Sequence, residues 1–386
     1  MPDIFKETTS RSWGSRIKGA FSGILFGLVL FIGAFVLLFW NEGRAVQTYK
    51  TLQEGAGSVV SVSSDQVLPE NEGVLVHVSG KAYTTETLTD PLLNVNVQAI
   101  RLIRRVEMLQ WHENKKSETR NKLGGGTETI TTYSYAKKWS SMLVNSSGFK
   151  HPQGHENPTI MPVDSGQWQA GMVNLGAFTL TPSQVSNIRS TRNLPLTYDN
   201  IPNDDLAERA SLENGIIYIG SRKHRKIGDA RIKVQVVYPN DVSIIAKQSG
   251  RSFVPYKAEA GGIIDMLKSG LVPAEAMFKE AQKQNTILTW GLRFLGLMLM
   301  FVGLKLILRV IRVLADVVPV FGSIIGAGTG IVAFLLAFCL SLVTVSIAWI
   351  FYRPLIGGAI LAIAAAMAYL AQRKAKAAPR DIALRT

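Results

Sequence analysis

Residues Thr289 to Arg312 read TWGLRFLGLMLMFVGLKLILRVIR. From Leu292 to Leu304 the only charge is Arg293. Lys305, Arg309 and Arg312 then follow at spacings of four and three, on one face of a helix. An apolar helix ending in a basic stripe is the pattern of a membrane span that meets a cytoplasmic surface. Upstream, back to Trp40, the chain reads as water-soluble sequence, and downstream it is nearly all apolar. The expected class is a membrane protein of α+β type. It has four transmembrane helices, with a large, mainly β, extracytoplasmic domain inserted between helices 1 and 2.

Residues 1–18 are a short basic tail. Gly19–Trp40 (GAFSGILFGLVLFIGAFVLLFW), helix 1, carries no charge and spans about 33 Å, enough to cross a bilayer. It is longer than a signal-peptide core, and no small-residue cleavage pattern follows, so an uncleaved anchor is expected. Gly19, Gly23 and Gly27 recur every fourth residue; they form either a helix-packing face or glycines of the kind common in spans. Helix 2 is expected at 288–308, and the helix-forming run Pro273–Thr286 leads straight into it. One continuous helix to about Leu314, roughly 60 Å long, follows. Asp316–Gly330 holds Pro319 and four glycines and reads as a break, either a cytoplasmic corner or a partly embedded amphipathic turn; a cytoplasmic connector is expected at 309–328. Helix 3 is expected at 329–352 and, after an Arg353-Pro354 corner, helix 4 at 355–371. A basic tail closes the chain at 372–386.

Charge orients this arrangement. Of the net +14, the insert 41–287 contributes +4, from 28 Lys and Arg against 24 Asp and Glu; the remaining 139 residues contribute +10. Residues 1–18, 305–323 and 372–386 hold 12 of the 14 basic residues outside the insert, so both termini are expected in the cytoplasm. Basicity confined to span flanks argues for lipid contact, with Lys305, Arg309 and Arg312 as candidates for anionic head groups, and against nucleic acid. Topology anchoring explains the same three residues.

Within the insert, Val74–Val78, Ile130–Tyr135, Ile216–Ile219, Ile232–Tyr238 and Val242–Ala246 alternate as strands do. Arg101–Trp111 fits a strand or a short helix. Glu113–Glu128, with Gly124-Gly125-Gly126, reads as an exposed loop at the end of a long hairpin.

No catalytic, metal or cofactor constellation emerges. His151 and His155 have a zinc-like spacing, but Pro152 and Gly154 put them in a loop, and they read as exposed or loop-anchoring residues. Gly326-Ala327-Gly328-Thr329-Gly330 lacks the lysine and preceding strand of a phosphate loop. The single cysteine, Cys339, is expected to be packed. Arg293 reads either as a functional intramembrane charge or as a residue snorkelling beside Trp290. No Asp, Glu, Lys or His lies mid-span, which argues against a proton-coupled pump.

The order of short motifs resembles the transmembrane protein 43 (LUMA) family over nearly the whole chain. The pieces begin with Asn41-Glu42-Gly43-Arg44-Ala45, then Glu70-Asn71-Glu72-Gly73 with Leu75-Val76-His77. Val106-Glu107-Met108, Gln110-Trp111, Tyr133-Ser134-Tyr135, Trp139, His155 and Asn157-Pro158 follow. The last are Gly228-Asp229, Arg231, Val254-Pro255, Thr289-Trp290-Gly291-Leu292-Arg293, Pro319-Val320-Phe321 and Phe351-Tyr352-Arg353-Pro354-Leu355. The resemblance implies four spans, a large lumenal domain and a non-enzymatic scaffold that self-associates. In animals it implies the endoplasmic reticulum and inner nuclear membrane, with emerin and lamins as partners. In a bacterial member the membrane would be the inner one, and that partner list would not transfer. An oligomeric channel or lipid-handling assembly lined by helices 3 and 4 is the alternative. The chain departs from the animal pattern in its shorter N-terminal tail and in its loop near 113–128.

Overall fold

The computed structural model describes residues 4–201, 206–221 and 224–354. The expected helix 4 at 355–371 and the tail at 372–386 lie outside these residues. Three described helices are long and apolar enough to cross a membrane: α1 (Trp13–Ser58), α2 (Ala274–Ala315) and α3 (Pro319–Tyr352). At 46, 42 and 34 residues they measure about 69, 63 and 51 Å. The unbroken run from Ala274 onward produces the single long helix expected there. Helix α1 continues 18 residues beyond Trp40, because no proline interrupts it before Ser58.

The connector is shorter than 309–328. Helix α2 ends at Ala315 and α3 starts at Pro319, so only three residues are non-helical. Proline suits a first helical turn. The glycines behind it stay helical and make room: a side chain at Gly322 would overlap the Asp316 carboxylate, and one at Gly326 would come 2.8 Å from Arg312 Cδ.

The chain divides into two compact units: Met1–Thr9, Thr51–Thr119 and Thr129–Ala281 in one, Ser10–Lys50, Arg120–Glu128 and Gln282–Thr386 in the other. The first is mainly β. Its principal strands are β1 (Ile4–Arg11), β2 (Leu75–Tyr83), β3 (Arg101–Asn121), β4 (Thr127–Ser140), β5 (Ala230–Val237) and β6 (Asn240–Ser249). An eight-stranded sheet runs β1-β4-β3-β5 and then Ile216–Ile219 and Ala210–Glu213; a seven-stranded sheet is built on the β2–β6 pair. Both sheets feed one apolar core, with Val76, Val78, Val242 and Ile244 from one and Leu102, Val106, Ile232 and Val234 from the other. On the opposite face of β2 and β6, Leu75 and Ile245 pack with Leu52 of α1 and Met277 and Phe278 of α2. That second covering explains why Val242–Ala246 is buried without alternation.

Arg101–Trp111 is strand. Much of the expected loop at 113–128 is strand too: β3 continues to Asn121 and β4 resumes at Thr127. Polar pairs hold this extension, Ser117 to Thr131 at 3.1 Å and Thr119 to Thr129 at 2.9 Å. The N-terminal tail is also partly ordered as β1, with Phe5 stacked on His151 at 4.1 Å and Glu7 paired to Lys150 at 2.8 Å.

In the helical unit α1 and α2 cross at glycine. A side chain at Gly27 would approach Gly303 O to 2.8 Å, and one at Gly303 would approach Gly27 O to 2.7 Å. Among the described residues nothing lies within 4 Å of the corresponding positions at Gly19 and Gly23. Ala34, Leu38, Met300 and Ala337 form the buried centre. Cys339 is exposed rather than packed, because much of α3 turns its side chains outward.

Candidate functional site

The family-like motifs of the three helices converge on one buried carboxylate, Glu42. Asn41 to Arg44 fill one turn of α1. Asn285, Thr289 and Arg293 recur every fourth residue along one face of α2. Trp349 and Tyr352 lie one turn apart on α3.

Glu42 is fully buried. Arg293 grips it with two parallel bonds, Nε to Oε1 at 2.7 Å and Nη2 to Oε2 at 2.8 Å. The Trp349 indole Nε1 donates to Oε2 at 2.8 Å. The fork geometry is the strong form of the arginine–carboxylate bond. The guanidinium lies 4.7 Å from the Trp290 ring and 5.6 Å from the Trp349 ring, and Arg353 lies 5.8 Å from Trp349. Arg293 therefore does not snorkel unpaired; its charge is neutralised inside the bundle.

A second layer surrounds this pair. Arg44 donates to Asn285 Oδ1 and Thr289 Oγ1, both at 2.9 Å, and to Asn41 Oδ1 at 3.2 Å. Asn41 donates to the Thr289 carbonyl at 3.1 Å, and Asn285 to the Ala45 carbonyl at 3.0 Å. Gly43 lets α3 approach: a side chain there would come 2.6 Å from Tyr352 Cζ. Tyr352 also packs on Phe39, with ring centroids 5.2 Å apart. Among the described residues nothing lies within 4 Å of a side-chain position at Gly291, and Pro354 is exposed.

Asn285 and Trp349 were not singled out from the sequence. The four-residue spacing of Asn285, Thr289 and Arg293 was the available signal for the first. An indole inside a span, which seeks an acceptor when buried, was the signal for the second.

Beside the lock, α2 and α3 enclose a cavity of about 430 Å³. Leu38, Phe294, Leu297, Phe338 and Leu342 form its apolar wall, and Trp290, Arg293 and Trp349 also line it. Ser341 and Ser346 also line it, and their hydroxyls, like that of Thr344, donate to carbonyls of their own helix.

The remaining candidates stand apart. Lys305, Arg309 and Arg312 are exposed, and among the described residues none meets a carboxylate. Gly326–Gly330 is helical, not a loop. Among the described residues no group of three or more His, Cys, Asp or Glu could hold a metal. His155 is buried, stacked on Tyr135 at 3.8 Å, and donates from Nδ1 to the His151 carbonyl at 2.9 Å. The Tyr135 hydroxyl donates to Glu113 at 2.6 Å. Burial, reinforced by that carboxylate, pushes its pKa up to about 12.

The family profile described as transmembrane protein 43 matches residues 108–354. Transmembrane protein 43 of Mus musculus is 35% identical over 351 residues, covering 88% of this chain and 87% of the mouse protein. The Homo sapiens protein is 34% identical over 361 residues, 91% of this chain and 89% of its own length. The Drosophila melanogaster homolog is 31% identical over 345 residues, 87% and 90%. No solved structure matches. The lock thus joins motifs of a recognised lineage, and the chain belongs to the transmembrane protein 43 family.

Proposed function

We propose that this protein is a non-enzymatic membrane scaffold that self-associates and organises membrane or membrane-protein complexes. In this reading the start of α1 and the C-terminus lie on the cytoplasmic side, and the β-rich domain, whose sheet includes β1 of the N-terminal tail, lies across the membrane. Lys305, Arg309 and Arg312 meet anionic head groups on the cytoplasmic face. The observation that carries the scaffold reading is how Glu42 is held. Both of its oxygens accept bonds from side chains of the other two helices, Arg293 of α2 and Trp349 of α3. The motif residues hold helices together instead of doing chemistry. Among the described residues nothing meets Gly19 or Gly23, and in this reading that small-residue face of α1 receives another copy. Mass photometry of the protein extracted into nanodiscs tests this. A defined oligomer is expected, and a strict monomer would sink it.

The cavity beside Arg293 favours a second reading, lipid handling along the α2–α3 groove. Its apolar wall suits acyl chains better than ions. Vesicles containing the protein that show no lipid movement would count against it.

A further inference from the structure

The second fully buried carboxylate of the helical unit is Asp316, in the three-residue turn between α2 and α3. Arg16 of α1 forms an ion pair with it, and Asn121 Nδ2 donates to its Oδ1 at 3.0 Å. Asn121 ends β3, at the tip of the insert's hairpin. The tip is seated by several further bonds. Gly124 N donates to the Val317 carbonyl at 3.1 Å, and Arg16 donates to the Gly125 carbonyl. Trp13 lies against Gly125, where a side chain would overlap its ring, and Gly125 has φ +77°, which glycine adopts without strain. Trp13 is itself fixed by its indole, which donates to the Val313 carbonyl at 2.9 Å.

Glu42 follows Arg16 by 26 residues of unbroken helix, about 39 Å, which exceeds the hydrocarbon thickness of a bilayer. Within the helical unit, therefore, the tip belongs to the end of α1 opposite the Glu42 lock. We infer that residues 121–126 of the insert lie on the same membrane face as the start of α1 and the α2–α3 turn, and not on the face of the Glu42 lock. The tip docks there as an internal latch. It closes on a cup made by Trp13, Arg16, Val313, Asp316 and Val317.

The latch goes beyond the scaffold reading, because it ties a segment of the insert to the helices themselves. The residues that deliver the tip, 115–121 and 127–132, include one apolar side chain, Ile130. Hydrocarbon would reject them, so water or protein must surround both strands wherever they pass membrane depth.

Single cysteines in a Cys339→Ser background test the inference with the full chain. Ser10→Cys reports the N-terminal tail. Leu123→Cys reports the tip, where the native side chain is 86% exposed. Ile160→Cys reports the rest of the insert, from a site 75% exposed. Each variant is labelled with a membrane-impermeant maleimide in right-side-out and inverted vesicles. Leu123→Cys is expected to label in the same orientation as Ser10→Cys, with Ile160→Cys labelling in the other. Labelling of Leu123→Cys opposite to Ser10→Cys overturns the latch, whatever Ile160→Cys does. If all three label together, the latch stands and the cross-membrane placement of the β-rich domain fails.

Discussion

Glu42 and Asp316 are both fully buried, and each is neutralised by an arginine, yet their partners come from different parts of the chain. Glu42 is held by side chains of the long helices themselves, Arg293 and Trp349. Asp316 is held by Arg16 and by Asn121, a residue of the insert 195 positions away in sequence. The first carboxylate fastens helix to helix. The second fastens a soluble segment to a helix corner. Burial is equal, so the difference lies in what each lock can release: breaking the first loosens the bundle, and breaking the second frees a tip.

The sharpest way to break this contrast is Glu42→Ala. It leaves the Arg293 guanidinium buried without its carboxylate and Trp349 without its acceptor. Removing one partner of a buried pair typically costs about 3–5 kcal/mol, so a marked drop in the thermal midpoint of the detergent-solubilised protein is expected. The double variant Glu42→Leu with Arg293→Met removes both charges and should recover much of that loss. If the single variant unfolds like the native protein, Glu42 is not a lock.

Asp316→Asn should act more locally. Asparagine preserves the shape and can still accept from Asn121, so only the charge opposite Arg16 is lost. A cost of about 1–3 kcal/mol is expected. Its signature is faster hydrogen exchange at residues 121–126, with exchange around residues 289–293 unchanged. Equal loosening at both ends would show that the two carboxylates are one cooperative unit, and the contrast between them would fall.

The same contrast explains what could be read from the sequence. The long helix through Thr289–Arg312 was legible because nothing in Ala274–Ala315 interrupts it. The Glu42 site was half legible: the motifs named Asn41 to Arg44, Trp290, Arg293 and Tyr352, but a charge near a span end is equally well served by snorkelling. The choice between snorkelling and pairing depends on where α1 crosses α2, which is set by Gly27 meeting Gly303 and not by any local pattern. Gly19 and Gly23 share the repeat with Gly27 yet meet none of the described residues, because only one position of the three meets α2. The Asp316 latch was not legible. Strand residues 115–121 are polar on both faces, so they lack the alternation that marks a half-buried strand, and the three glycines of the tip look like any exposed loop.

The smallest expected effect lies in the β unit, where α1 ends on a third carboxylate that is not buried. Glu54 accepts from the backbone N–H groups of Glu259 at 2.9 Å and Ala260 at 3.1 Å, and from the Tyr256 hydroxyl at 3.4 Å. The two backbone bonds hold its pKa below the usual carboxylate range, against a partial offset from desolvation. A folded pKa below the unfolded one contributes stability at pH values above the unfolded pKa. That contribution disappears as pH falls through the folded pKa. Glu54 should therefore add a shallow acid-sensitive component, present at neutral pH and lost as pH falls below the ordinary glutamate pKa of about 4.3. Glu54→Gln cannot ionise, so its unfolding midpoint should lie below the native one at neutral pH and meet it at the acid end. Parallel curves for the two proteins across that range would mean that the Glu54 bonds are equally good in either protonation state. The half-buried Glu54 carboxylate would then fasten nothing, which would sharpen its difference from the two buried ones.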